Sequence, residues 1–524
     1  MSIPLPQGPA GHGRSAAGTR ALPERVRPLP AYVELLVVGG GASGLSAAIE
    51  AVTTGGLDPA DVLLVDAQPA LGGAAVVAGG GICIAGTPLQ ARKGIEDSVE
   101  LAYQDWLSAG GDLVDTGWAR RYLEAGNREV YGWLEQLGLH WTEVSWREGN
   151  SVPRWHRTVG GGKAVAACLV GHLGRLGVRA ALEAEVTGLV LAGGPDGGGR
   201  PGGELSAVTV RWGGSEQTVG CGAAIVATGG FVNNPDTVRT HTGLPEDTRF
   251  LSGGAPHADG RGHRLLADAG AQFTAMGEVW FYPFGTPNYR LGGGTSARGL
   301  AVRGLGNAIW VNRRGERFHN EALSGGGSGG RAIFRQPGQT CWAVFDADEV
   351  RTLLLRGDRY YASGDDVDRD RTAEFLRESP YAATGDTVCE AADRAGLPGR
   401  AVEATVAAFN ARIAEGAAHD PAFGRPLAGL REIARGPFHV VQFFPLAQKN
   451  LGGVHTDEVC AVRRADGSTI TGLFASGEVA GMGGGHINGH GAIEGTMLGP
   501  CLYSGRVAGS AAAAAVRARR EPAG

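Results

Sequence analysis

Short runs of branched apolar residues, each cut off by glycine, organise the N-terminal part of the chain. Glu34-Leu35-Leu36-Val37-Val38 shows no polar alternation after its first residue, the pattern of a parallel strand buried on both faces. It runs straight into Gly39-Gly40-Gly41-Ala42-Ser43-Gly44. Leu45, Ala48 and Ile49 then recur at helical spacing, and a second apolar run, Val62-Leu63-Leu64-Val65, ends on Asp66. This predicts a strand–helix–strand unit of the dinucleotide-binding kind. Further strands are predicted at residues 207–210, at 223–227 ahead of Thr228-Gly229-Gly230, and at 472–475 ahead of Ser476-Gly477-Glu478. Residues 190–203 carry a Gly/Pro turn that reads as a surface hairpin tip. From 282 to 445 the patterning is mixed helical and irregular, with a glycine tract at 325–330, and reads as a domain inserted between parts of the first. Residues 504–519 are Ala-rich and predict a closing helix.

Composition narrows the function classes. A formal net charge of −5 argues against a nucleic-acid partner, which requires a basic face. No uninterrupted apolar stretch reaches the roughly 18 residues of a membrane span. The first thirty residues lack the apolar segment of a secretory signal and read as a flexible arm. The seven cysteines lie far apart with no CxxC pair, so reduced thiols in a cytoplasmic protein are expected, with no metal site. Glycine is over-used, at 90 of 524 residues. Its clusters fall where backbone must approach a phosphate or turn with positive φ.

Gly39-x-Gly41-x-x-Gly44 follows a strand and opens a helix. The first glycine permits the turn, the second lets backbone reach a pyrophosphate, and the third allows close helix–strand packing. The helix N-terminus adds N–H groups and a positive dipole end. Asp66, at the tip of the second strand, is placed to accept the hydroxyls of a ribose. Thr228-Gly229-Gly230 taken alone is a turn after a strand. It gains meaning beside Gly72-Gly73, Gly79-Gly80-Gly81 and Ser476-Gly477-Glu478.

In this order the pieces resemble the flavoprotein family of soluble fumarate reductases, succinate dehydrogenase flavoprotein subunits and 3-ketosteroid dehydrogenases. The resemblance spans about 33 to 512. It includes Arg154-Trp155-His156-Arg157 before Gly160-Gly161-Gly162, Ala301-Val302-Arg303-Gly304, Val311-Asn312 through Arg317-Phe318 to Asn320-Glu321, Leu451-Gly452-Gly453, and Gly505-Arg506-Val507-Ala508-Gly509. It implies an α/β fold: a Rossmann-like FAD-binding domain, discontinuous in sequence, with an inserted α+β capping domain. The expected division is an arm at 1–30, FAD-binding segments at 31–281 and 446–515, a capping domain at 282–445, and a tail at 516–524. The implied cofactor is FAD. Its expected contacts are Gly39, Gly41, Ala42, Ser43, Gly44, Asp66, Ala67, Gly72, Gly73, Ala74, Gly80, Gly81, Val186, Ala227, Thr228, Gly229, Asp259, Gly477, Glu478, Gly491, Ala492 and Ile493.

The implied chemistry is hydride transfer at a CH–CH bond next to a carbonyl or carboxylate of a small organic or polycyclic substrate. Hydride leaves such a carbon only if a base takes the neighbouring proton or a polarised oxygen spreads the charge. The chain departs from the fumarate reductases where this machinery sits. Tyr282 stands in place of a substrate histidine, Lys449 matches a second, and Arg303 matches a relay arginine whose acidic partner is replaced by Leu300. Arg331 matches the catalytic arginine only if the glycine tract is an insertion. The segment Gly489-His490-Gly491-Ala492-Ile493-Glu494-Gly495-Thr496 leans toward the ketosteroid dehydrogenases. Tyr282 is therefore expected to move the proton, Arg303 or Arg331 to relay it, and Lys449 and His490 to hold the oxygen. A flavin oxidase or monooxygenase acting on a secondary metabolite, or a non-catalytic flavin-bound protein, are the alternatives.

Overall fold

The computed structural model describes residues 22–193, 203–291, 297–357 and 368–520. Its central element is a sheet whose strands Arg179–Leu182, Val62–Asp66, Tyr32–Val38, Ser215–Val226 and Thr469–Ala475 lie side by side and parallel. Leu35, Val37 and Leu64 face one buried layer, and Leu36, Val38, Leu63 and Val65 face another. Burial on both faces is why these strands read as continuous apolar runs. The strand Thr469–Ala475 joins residues near the C-terminus to the sheet begun at Tyr32, so both ends of the sequence build one layer.

On one face, the helix Ala42–Thr53 packs against the long helix Leu498–Arg520. Gly505 and Gly509 set the approach. A Cβ on Gly505 would lie 2.3 Å from Ser43 O, and one on Gly509 would lie 2.2 Å from Ala47 O. Arg506, between them, reaches Glu50 at 2.7 Å.

A second sheet runs Ile309–Val311, Cys341–Asp346, Phe438–Asn450, Val279–Pro287, Gly299–Arg303 and Leu354–Arg356, with Leu251–Ser252 and Ala382–Gly385 also paired to Phe438–Asn450. It starts before 282 and ends after 445, because its two longest strands cross both expected boundaries. Behind it lies a buried ion network. Glu321 accepts from Arg317 at 2.7 Å and from Arg425 at 2.9 Å, and Arg317 also pairs with Asp420.

Three other expectations meet the structure at their edges. Residues 1–21 of the expected arm lie outside the described residues. Glu24–Arg25, however, pairs with Arg179 and Ala180 at the sheet edge, so residues 22–30 are docked rather than free. The hairpin tip falls mainly on residues 194–202, also outside the described residues, between strands Ala184–Ala192 and Glu204–Trp212 that do pair antiparallel. The closing helix continues to Arg520, through the start of the expected tail.

Candidate active site

A cavity of about 820 Å³ opens between the two sheets. The strand Tyr32–Val38 delivers the chain to it through Gly39, whose φ is +103°. A Cβ there would lie 2.5 Å from Ala227 O, so the position has no room for a side chain. Gly40 N donates to Asp66 Oδ2 at 2.6 Å, locking the turn to the second strand. The helix Ala42–Thr53 starts at Gly41 with no side-chain cap, and Gly41, Ala42 and Ser43 line the cavity. Backbone N–H groups at an uncapped helix start suit an anionic ligand. A Cβ on Gly44 would fall 1.9 Å from Gly39 O, so this glycine serves helix–strand packing and does not line the cavity.

Asp66, Ala67, Gly73, Ala74, Gly80, Gly81, Val186, Ala227, Thr228, Gly229, Asp259 and Glu478 line the same cavity as Gly39, Gly41, Ala42 and Ser43. Burial raises the Asp66 carboxyl, against the N–H groups of Gln68 and Gly40 that it accepts. Asp259 is clamped by Arg261, which also reaches Glu185 at 2.7 Å. Burial raises Glu478 to about 7, opposed by the N–H of Asn450, which donates to it at 3.2 Å.

Thr228 Oγ1 and His257 Nε2 are buried with no hydrogen-bond partner among the described residues, and both residues line the cavity. A buried polar atom left alone costs about 1–3 kcal/mol, so these two atoms fit a polar ligand. Together with the uncapped helix start and Asp66, they suit a dinucleotide such as FAD.

Other expected contacts lie outside the cavity lining. Gly72 donates its N–H to Gly40 O at 2.8 Å, and Gly477 packs on Ser43, whose Oγ bonds Ser476 Oγ at 2.7 Å. Gly491, Ala492 and Ile493 are buried away from it, with Gly491 against Ala109 O and Ile493 against Gly149. Glu494 and Gly495 line the cavity instead, a shift of a few residues within a glycine-rich turn that has no periodic pattern to fix its register.

The expected catalytic residues divide into two groups. Tyr282, Arg303 and Lys449 line the cavity and meet. The Arg303 guanidinium lies 4.9 Å from the centre of the Tyr282 ring and 4.5 Å from that of Phe284, and Lys449 Nζ lies 5.3 Å from the Tyr282 ring. Tyr282 is buried, and its hydroxyl donates to Glu494 Oε1 at 2.6 Å. Burial raises the phenol pKa and the Glu494 charge adds to this, while Lys449 and Arg303 pull it down. Burial works to lower the Lys449 ammonium, but Tyr282 and Glu494 beside it outweigh that and its pKa ends above the ordinary value.

Arg331 and His490 do not line the cavity; they meet each other. Arg331 Nη2 donates to His490 O at 2.8 Å, and the His490 ring spans Glu278 at 2.8 Å and Asp112 at 3.1 Å. The glycine tract before Arg331 forms a π-helical turn, Gly326–Gly330, with Gly326 packed under Trp280 and Gly330 against Phe281 O. Glu494 is the residue that sequence reasoning passed over. Its signal was a lone carboxylate in the segment already assigned to the flavin side.

Residues 34–495 match the FAD binding domain family. A KsdD-like steroid dehydrogenase of Mycobacterium tuberculosis is 31% identical, over 92% of this chain and 96% of its own. A fumarate reductase (cytochrome) of Shewanella frigidimarina is also 31% identical, over 92% of this chain and 77% of its own. The open conformation of a flavocytochrome c3 fumarate reductase superposes with a TM-score of 0.71 at 26% identity, covering 93% of this chain and 78% of that one. The glycine fingerprint, the cavity it lines and these similarities agree: the chain belongs to the FAD binding domain family of flavin-dependent oxidoreductases, alongside fumarate reductases and ketosteroid dehydrogenases.

Proposed function

We propose that the protein oxidises or reduces a CH–CH bond next to a carbonyl or carboxylate of a small organic or polycyclic substrate, with Tyr282 moving the proton. The observation that carries this reading is that Tyr282, Arg303 and Lys449 converge in the cavity that also holds the 39–44 glycine turn. FAD, when bound, supplies the two-electron hydride chemistry; the remaining work belongs to the chain. Tyr282 exchanges a proton with the carbon beside the carbonyl. Arg303 makes no ion pair among the described residues, and with Lys449 it offers positive charge to the oxygen where negative charge develops. Trp155, Phe284 and Leu354 line the cavity and keep water from this charge. The part of the chain at 282–445 acts as the cap that closes over substrate, and His490 and Arg331 serve as a polar tie beside it rather than as substrate contacts.

The test is anaerobic bleaching of the flavin in the FAD-loaded enzyme by two saturated probes, succinate and a saturated 3-ketosteroid. The reduced enzyme is tested in parallel against fumarate and the matching enone. Flavin turnover with one probe pair is expected. Bleaching by neither, with no reoxidation by either unsaturated partner, overturns the reading.

A further inference from the structure

We propose that Glu494 is the proton acceptor behind Tyr282, so that the pair is built to withdraw a proton from substrate and the site runs as a dehydrogenase. The inference rests on the reading above and adds a residue and a direction to it. Tyr282 Oη donates to Glu494 Oε1 at 2.6 Å, the length of a charge-assisted O–H···O bond. The phenolic proton is thereby committed to the carboxylate. What Tyr282 presents to the cavity is oxygen lone pairs, which can receive a proton from carbon.

The backbone fixes Glu494 in this role. Thr496 Oγ1 donates to Asn488 Oδ1 at 2.7 Å, and Cys83 N donates to Gly495 O at 2.9 Å. Gly495 has a φ of +99°, and a Cβ there would sit 2.8 Å from Cys83 N. A turn held this tightly keeps the carboxylate on the cavity wall. The charged groups facing the pair are Lys449, from the strand Phe438–Asn450, and Arg303, from the strand Gly299–Arg303. Both are cations, and both stabilise negative charge shared between the phenol oxygen and the carboxylate. Burial together with the Glu494 charge keeps the phenol protonated above its ordinary range, as a relay requires.

In the balanced step, the C–H bond beside the substrate carbonyl breaks and its proton goes to Tyr282 Oη, while the Tyr282 O–H proton passes to Glu494 Oε1. The electron pair left on carbon forms the new C=C bond as the neighbouring carbon loses a hydride to oxidised FAD. Substrate loses two electrons and two hydrogens, one as the proton that leaves Glu494 protonated and one as the hydride that bound FAD would accept. Glu494 is only partly buried, so it can return its proton to solvent.

Glu494→Gln keeps size and a hydrogen-bond acceptor but cannot take the proton. In FAD-loaded enzyme labelled with ζ-carbon-13 tyrosine, the Tyr282 resonance is assigned by its absence in Tyr282→Phe. It is expected to titrate above the ordinary tyrosine range in wild type and to shift down in Glu494→Gln, without any substrate. With whichever saturated probe bleaches the wild-type flavin, Glu494→Gln is expected to slow bleaching by roughly a hundredfold or more. Glu494→Asp should restore part of the rate. An unmoved Tyr282 resonance, or bleaching at the wild-type rate in Glu494→Gln, overturns the proposal while leaving the wider reading standing. Reoxidation by an unsaturated partner with no bleaching by either saturated probe overturns the direction proposed here alone; failure of all four probes on wild type overturns the wider reading first.

Discussion

Two glycines three residues apart carry different burdens, and substitution separates them. A Cβ on Gly41 has Gly73 Cα as its nearest protein atom, at 3.9 Å, and Gly41 has a φ of −76° that any residue adopts. Gly41→Ala is therefore expected to leave folding intact and to lower FAD occupancy, read from the flavin absorbance per chain beside an unchanged apo-protein melt. Gly44→Ala drives a methyl into Gly39 O and is expected to destabilise the fold itself by about 1–3 kcal/mol. The sequence spacing made both glycines legible because the fingerprint is local. Asp66 was legible for the same reason. Glu494 was not, because its hydrogen bond to Tyr282 joins residues 212 positions apart. No pattern along the chain announces such a pair.

At the level of elements, the parallel strands were readable from continuous apolar runs, whereas the helix contact made by Gly505 and Gly509 is a finding of the structure. The second sheet was harder, since most of its strands are short and they pair across large sequence separations. The glycine tract at 325–330 offered no side-chain periodicity to read; its packing against Trp280 is a tertiary fact. The sequence signature from Arg317 to Glu321 turns out to lie in a buried ion network, with Glu321 3% exposed and Arg425 2% exposed. Removing Arg425 leaves Arg317 as the one cation shared by Glu321 and Asp420, so one buried negative charge goes uncompensated. Arg425→Met is expected to cost about 3–5 kcal/mol in chemical unfolding, and a loss below about 1 kcal/mol would show that Glu321 is not held as described.

For the molecule as a whole, pH acts through buried imidazoles. Burial lowers His156 to about 4, His263 to about 3 and His439 to about 4 from an ordinary 6.5. Each is depressed in the folded state, so its contribution is complete above 6.5 and is lost as pH falls toward the folded value. Glu478, raised to about 7, works oppositely, favouring the fold below its unfolded value of 4.5 and losing that as pH rises through 7. His172, His241, His257, His455 and His486 are also lowered, and Asp66 and Glu349 are raised beside Glu478. The more numerous imidazoles predict a urea midpoint that falls as pH drops from 6.5 toward 4, with His263→Leu flattening part of the fall. A midpoint constant over that range would contradict the burial of these rings.

The central claim joins a flavin cavity assembled from both ends of the chain to a proton-transfer group at Tyr282. Its most direct test is the anaerobic rate of flavin reduction in Tyr282→Phe, measured with the saturated probe that reduces the wild type. Only the hydroxyl is lost, so FAD occupancy should match wild type while flavin reduction slows by roughly a hundredfold or more. A variant that binds FAD and reduces it at the wild-type rate would show that the proton is moved elsewhere.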